Sequence, residues 1–397
     1  MRVALFTDTL GDVNGVSRFI RTAAQHAHAT GRSLTVLTST RFQVPDAPNI
    51  VNIAPVAATA MPKYPNLEIV LPRRAAMAAA ARALAPDVVH VSTPGPVGAL
   101  GRAFARSNRL PLLGTYHTDF PAYLEHLVGI EPITLACRDV MSWFYSPFAR
   151  VFSRSDDYAA SLRTLGVKPD RIERLRPGID LSAFTAPPPS HTDRGPARFW
   201  TDHAASYPGI RPASVKVVFV GRVSVEKNLP LLAQVWPAVK ANCTARAVDV
   251  QILIVGDGPY RAPMARALDG HDAHFLGFRF GQELASIYAA CDLMAFPSRT
   301  DTLGQVVMEA QACGLPVIIT PDGGPKEVVR YQDPATATGL CIPATPAAWT
   351  SALTDLACDH LRRSAMGQRA SEYIKGFTFA ASFDHFWRIH EQAAATR

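Results

Sequence analysis

The run Val215-Lys216-Val217-Val218-Phe219-Val220-Gly221-Arg222-Val223-Ser224-Val225-Glu226-Lys227-Asn228 decides how the chain folds. Its first six residues are mostly β-branched and apolar, the pattern of a strand buried on both faces. Gly221 then opens a polar loop, and a helix is expected over 228–241. The rhythm repeats downstream. A strand over 250–255 closes on Gly256-Asp257-Gly258-Pro259, and a helix over 260–268 leads to a strand over 274–276. A helix over 282–290, a strand over 293–296, a helix from Gly304 and a strand over 317–320 continue it. Strands that alternate with helices in this way form a parallel sheet covered on both faces.

The first half reads alike. A strand over 2–6 runs into a loop over 11–15, and Ser17 caps a helix to about Thr30 that Gly31 stops before a strand over 34–37. Strands over 87–91 and 112–116 follow, the first ending in the loop 92–98 and the second at His117. Ala186-Pro187-Pro188-Pro189-Ser190, with the polar stretch up to Ser214, breaks the alternation and reads as a linker. The expected architecture is therefore α/β, with two doubly wound Rossmann-like domains facing an interdomain cleft. Its parts are 1–190, 191–377, and a helix over 378–397 that packs back on the first domain through Phe383, Phe386, Trp387 and Ile389. In such sheets ligands gather outside the carboxyl ends of the strands.

Composition bounds the function. With 397 residues, 48% of them hydrophobic and 18% charged, the chain supports two cores and is not disordered. No stretch reaches the roughly 20 uninterrupted apolar residues of a membrane span. The apolar run at the N-terminus is too short for a secretory leader, so a cytoplasmic location is expected. The six cysteines at 137, 243, 291, 313, 341 and 358 show neither C-x-x-C nor zinc-finger spacing, and reduced thiols are expected. Residues 1–200 hold 22 Lys and Arg against 15 Asp and Glu, whereas the rest balances at 18 of each. A basic half favours an acidic partner. No aromatic-basic module accompanies the charge, so nucleic acid is not expected.

The densest chemistry lies in Phe296-Pro297-Ser298-Arg299-Thr300-Asp301-Thr302-Leu303-Gly304-Gln305-Val306-Val307-Met308-Glu309-Ala310. A helix that starts near Thr302, Leu303 and Gly304 presents unpaired amides and a positive dipole end, suited to a phosphate or a polyhydroxylated ligand. Asp301 and Glu309 stand a little over two helical turns apart, so both carboxylates face one groove if Asp301 lies at the helix mouth. Carboxylates accept hydrogen bonds from sugar hydroxyls. Arg222 and Lys227, in the loop before a helix, have the charge to hold a diphosphate. Taken alone, the two acids also fit a solvated helix face, and the two cations a charged surface loop.

The series G-R-V-S-x-E-K-N, V-G-D-G-P, F-L-G-F and F-P-S-x-T-D-T-L-G-x-V-V-M-E-A-x-A-x-G-L-P-V-I resembles the donor domain of the family 4 retaining glycosyltransferases, densely over 215–330. Asn14-Gly15-Val16-Ser17 and Tyr116-His117-Thr118-Asp119-Phe120 extend the likeness into the first half, closest to the mannosyl-, glucosyl- and sulfoquinovosyltransferase branch. The resemblance implies the GT-B fold and transfer of a hexose from a UDP- or GDP-linked donor to an acceptor hydroxyl. It assigns Glu309 to the donor ribose, and Asp301, where the family usually has Glu, to hydroxyls of the transferred sugar. It gives Arg222, Lys227 and the amides of Thr302, Leu303 and Gly304 to the diphosphate, with Gly15 close to the phosphates and Phe278 at the base. His117, otherwise readable as a core histidine, is placed beside the transferred sugar, with Asp119 and Tyr123 on the acceptor side.

No metal or other cofactor is implied, and the chain has neither D-x-D nor H-E-x-x-H. The implied acceptor is a membrane lipid or a lipid-linked or other glycan. Arg73, Arg74, Arg82, Arg102, Arg106 and Arg109 are candidates for docking on an anionic inner leaflet as a peripheral protein. Two other readings keep the fold: a sugar-nucleotide 2-epimerase, and a non-catalytic nucleotide-sugar-binding subunit.

Overall fold

The computed structural model describes residues 1–11, 15–61, 64–122, 130–182, 184 and 196–396. The chain divides into two units, Met1–Gly178 with Ala380–Arg397, and Ile179–Phe379. In the first, β1 (Arg2–Thr7), α1 (Gly15–Ala29), β2 (Ser33–Thr38) and β3 (Ile50–Asn52) lead to an antiparallel hairpin of β4 (Ala57–Met61) and β5 (Tyr64–Leu71). There follow α2 (Arg74–Leu84), β6 (Val88–Val91), α3 (Pro96–Ser107), β7 (Leu112–Tyr116), α4 (Glu131–Tyr145), β8 (Arg150–Ser153), α5 (Asp156–Thr164) and β9 (Ile172–Arg174). Seven strands form a parallel sheet in the order β3-β2-β1-β6-β7-β8-β9. β6 and β7 are buried throughout, His90 and Thr115 included.

Asp8 settles how β1 meets α3. Its Oδ1 accepts the Val97 amide at 2.6 Å, and its Oδ2 accepts the Gly98 amide at 3.2 Å and the Thr93 hydroxyl at 2.7 Å. The N-terminal amides of α3 are thus capped by a carboxylate. Ser17, expected as a cap, instead lies inside the first turn of α1 and donates its hydroxyl to the Leu10 carbonyl at 2.7 Å.

The second unit contains α6 (Pro196–Asp202), β10 (Val215–Val220), α7 (Leu229–Ala245), β11 (Val250–Val255), α8 (Arg261–Ala267), β12 (Ala273–Gly277) and α9 (Gly281–Ala289). β13 (Leu293–Phe296), α10 (Gln305–Ala312), β14 (Val317–Ile319), β15 (Gly339–Cys341), α11 (Pro346–Cys358) and α12 (His360–Ile374) complete it. Its six parallel strands run β12-β11-β10-β13-β14-β15 around a core that includes Phe219, Trp236, Phe296 and Trp349.

The boundary lies at 178/179, not at 190/191. Ile179 is 2% exposed in the second core and forms a parallel bridge with Thr378, so the chain enters and leaves this unit side by side. Three residues of the expected linker belong to the core as well. Trp200 on α6 is fully buried, with its indole N–H donating to the Ala290 carbonyl at 2.6 Å, and Tyr207 and Ile210 are buried beside it. The polar composition of 190–214 hid these three apolar anchors.

The last helix, α13 (Phe379–Ala395), belongs with the first unit from Ala380 onward. Phe386 packs on Phe19, His90 and Phe152, and Asp384 pairs with Arg32. His390 Nδ1 lies 2.7 Å from the Phe386 carbonyl, which can only accept, so that nitrogen carries the proton. His390 Nε2 then accepts from His90 Nδ1 at 3.0 Å, and His90 Nε2 from the Thr115 hydroxyl at 3.1 Å. Burial holds both imidazoles neutral, pushing His90 well below the usual histidine range and His390 to about 4.

Candidate functional site

In the second sheet β10 pairs with β11 on one side and with β13 on the other. The strand order therefore reverses between β10 and β13, and the loops leaving their carboxyl ends part there. Such switch points are where open α/β sheets bind ligands. The loop after β10 carries Arg222 and Lys227, and the loop after β13 carries Asp301.

Lys227 ends a short 3-10 turn, Val225–Lys227, and its Nζ donates to Asp301 Oδ2 at 2.7 Å, each side chain being one-fifth exposed. Asp301 Oδ1 accepts the Gly304 amide at 2.9 Å. Burial pushes the Asp301 carboxyl up, but Lys227 and the amides of Gly304 and Leu303 more than offset it, leaving the group below the ordinary carboxylate range. The Thr300 hydroxyl donates to the Glu226 carbonyl at 3.1 Å, a second tie between the two loops. Gly304 caps α10 at φ 72°, where a side chain would be strained and its Cβ would lie 3.0 Å from Pro325.

Two expectations change here. The amides of Leu303 and Gly304 already serve Asp301, so a ligand meets this helix mouth through a carboxylate-capped turn, and Thr302 lies on that turn. Asp301 also precedes the helix, which starts at Gln305, so helical spacing does not relate it to Glu309. Glu309 is fully buried in α10, and its Oε2 accepts the Tyr288 hydroxyl at 3.3 Å.

Arg222 follows Gly221, whose carbonyl lies against Gly256 so closely that a Cβ at 256 would meet it at 2.0 Å. Gly256 in turn donates its amide to the Gly277 carbonyl at 2.8 Å. The loops after β10, β11 and β12 are thereby stitched glycine to glycine. Phe278, just beyond, is 42% exposed and stacks on Phe280 at 6.0 Å and 13°.

In the first unit the order reverses between β1 and β6. His117 follows β7 and is 5% exposed, with Nε2 3.0 Å from the Ser92 hydroxyl at the end of β6. Its Nδ1 is buried without a hydrogen-bond partner among the described residues. Burial, then the nearby Arg154 charge, pushes this imidazole well below the usual range, so it is neutral at neutral pH. Asp119 Oδ1 accepts the Ala122 amide at 3.1 Å. Gly15 opens α1 and is exposed. Tyr123 lies outside the described residues.

Sequence reasoning gave no role to Ser92, Asp8, Tyr288 or Phe280. Ser298, within the F-P-S stretch after β13, is 1% exposed and its hydroxyl has no hydrogen-bond partner among the described residues. The run Phe278-Arg279-Phe280 was the available signal for the aromatic pair. The others depend on pairings between distant segments.

Comparison with known proteins gives the family and the fold. Residues 13–183 match the family model "Glycosyltransferase Family 4", and residues 214–359 match "Glycosyl transferases group 1". The GDP-mannose-dependent alpha-mannosyltransferase of Mycobacterium tuberculosis is 30% identical over 357 residues, covering 86% of this chain and 84% of that one. Among solved structures, the sucrose-phosphate synthase of Thermosynechococcus elongatus aligns with a TM-score of 0.75 at 20% identity, over 100% of both chains. WaaG, a glycosyltransferase involved in lipopolysaccharide biosynthesis, aligns at 0.72 and 18%, over 98% of this chain and 99% of that one. The chain is a glycosyltransferase with the GT-B fold and belongs to family 4, whose members draw on nucleotide sugars.

Proposed function

We propose that this enzyme moves a hexose, with retention, from a nucleoside-diphosphate sugar to a hydroxyl of a membrane lipid or lipid-linked glycan. The observation that carries the donor half is the meeting of Lys227, Asp301 and the Gly304 amide at a switch point of the second sheet. GDP-mannose is the first donor to test, since a relative covering most of the chain is named for it; UDP-hexoses are the second. The bond from the anomeric carbon to the diphosphate oxygen breaks as the acceptor oxygen bonds to the same face and gives its proton to the departing diphosphate. Arg222 and Lys227 stabilise the charge that develops on the departing diphosphate. Neutral His117, held by Ser92, offers its remaining ring nitrogen to a sugar hydroxyl. Glu309 reads the ribose, Asp301 the transferred hexose, and Phe278 the base. Protein cations carry the leaving-group charge, so the reaction is proposed to run without a divalent metal.

Peripheral attachment to an anionic membrane surface on the cytoplasmic side is part of this reading. Support comes from α4, where Ile133, Val140 and Trp143 are exposed, Trp143 at 59%, with Arg138 exposed among them. Arg73, Arg74, Arg82, Arg106 and Arg109 are also exposed. Arg102 is not available for docking: it is buried, and it donates to the carbonyls of Phe144 and Trp143 beneath the Trp143 ring. No described helix is long and apolar enough to cross a membrane.

A thermal-shift panel of GDP- and UDP-sugars tests the donor half. A ligand at about 100 times its Kd stabilises by about 2.7 kcal/mol, and silence across the panel would overturn the proposal.

A further inference from the structure

Two thiols that the donor reading does not use lie side by side in the outer helical layer of the second unit. Cys243, near the end of α7, is fully buried, and Cys358, the last residue of α11, is partly exposed. Their Sγ atoms are 3.8 Å apart. A disulfide needs about 2.05 Å, so the approach required is small. The helices pack against each other, and an Arg246–Asp355 ion pair of 2.9 Å ties them beside the thiols. Cys358 also adjoins a break: Asp359 leaves helical geometry at φ −98° and ψ 87° before α12 begins.

The surroundings suit a thiol reagent. Cys358 lines a surface depression of ≈ 520 Å³ with Arg246, Asp355, Asp359, His360 and Arg362. The cations that line the depression attract an anionic reagent to this partly exposed thiol. Cys243 is the poorer first nucleophile, because burial and then the neighbouring thiol push it up to about 12.

We propose that Cys243 and Cys358 form a reversible disulfide when the protein meets a small-molecule disulfide such as oxidised glutathione. The Cys358 thiolate attacks one sulfur of the reagent, forming a mixed disulfide and expelling one thiolate. That thiolate takes up the Cys243 proton as Cys243 attacks Cys358 Sγ and expels the second thiolate, which is protonated from solvent. Two protein thiols are oxidised by two electrons in all, and the reagent is reduced to two thiols. The bond fastens the far end of the helix that follows Lys227 without touching Lys227 or Asp301.

The test incubates the full chain across a series of oxidised-to-reduced glutathione ratios, alkylates the remaining thiols, and maps the peptides by mass. The expected product joins the Cys243 and Cys358 peptides, carries no glutathione on either, and melts at a higher temperature until dithiothreitol reverses it. Cys243→Ser should strand glutathione on Cys358, and Cys358→Ser should leave Cys243 unmodified. Wild-type protein that stops at a glutathione adduct on Cys358, or keeps both thiols alkylatable at the most oxidising ratio, overturns the proposal.

Discussion

Lys227 and Asp301 are 74 positions apart in the chain, and their side chains meet at 2.7 Å because β10 and β13 are neighbours in the sheet. The carboxylate also holds the Gly304 amide, so one group aims both the lysine and the first turn of α10. The cation proposed to meet the diphosphate is therefore pre-positioned by an acid and not left mobile on its stem.

Replacing either cation should strike the chemical step. Arg222→Ala and Lys227→Ala are each expected to lower kcat by at least about 100-fold, the scale of losing one charge-stabilising donor. Steady-state kinetics with the cognate sugar nucleotide would read this, and a loss under about threefold in both would remove the leaving-group assignment.

Asp301 can be separated from general stability by comparing two variants. Asp301→Asn keeps the shape but removes the charge that orients Lys227, and kcat is expected to fall by about 100-fold, as for a misplaced catalytic group. Asp301→Glu restores the charge and should recover part of that loss. Because Lys227 and two amides keep this carboxyl below its ordinary range, it stays ionised above pH 5. The pair's contribution to stability is present above about pH 4 and disappears only as the pH falls through the still lower folded-state value.

The His90–His390 pair is also weakened by acid, but in a higher pH window. Both imidazoles are neutral in the folded protein, whereas an unfolded chain protonates them near 6.5. Above that pH they add no slope. Below it the unfolded state gains protons first, and stability should fall by about 1.4 kcal/mol per pH unit per histidine. Melting curves from pH 7.5 to 5 should therefore show a steep drop in Tm, flattened in the His90→Leu, His390→Leu double variant. An unchanged slope in that variant would show that other groups carry it.

Membrane attachment is read by sedimentation. Wild-type protein should pellet with anionic vesicles more than with neutral ones, and Val140→Ser with Trp143→Ser should reduce recovery several-fold while leaving turnover of a soluble acceptor unchanged. Equal recovery on both vesicle types would remove the electrostatic argument.

Metal independence is checked with a chelator. Excess EDTA should leave turnover within about twofold, since protein cations are proposed to supply the charge stabilisation. A collapse rescued by added magnesium would reassign the leaving-group role.

Much of the second unit was legible because buried parallel strands leave an unmistakable signature, as 215–220, 250–255 and 293–296 all do. Lys227, Asp301 and Glu309 could be named from their wording, but not the bond between the first two, which depends on sheet order. The hairpin 57–71 and helix α4 were missed, the former for its mixed alternation and the latter because so little of its surface is buried. The linker reading failed at Trp200, where one indole anchors a stretch of otherwise polar residues. Ser92 beneath His117 was invisible because 25 residues separate them.

The adjoining entry and exit at Ile179 and Thr378 make the second unit an insertion within the first. During synthesis the opening lobe must wait: Phe386 and His390, which complete the packing around Phe19, His90 and Phe152, are translated some two hundred residues later. The half begun earliest is the half finished last. A released chain truncated before α13 should accordingly yield a protease-resistant second unit and a digestible first one.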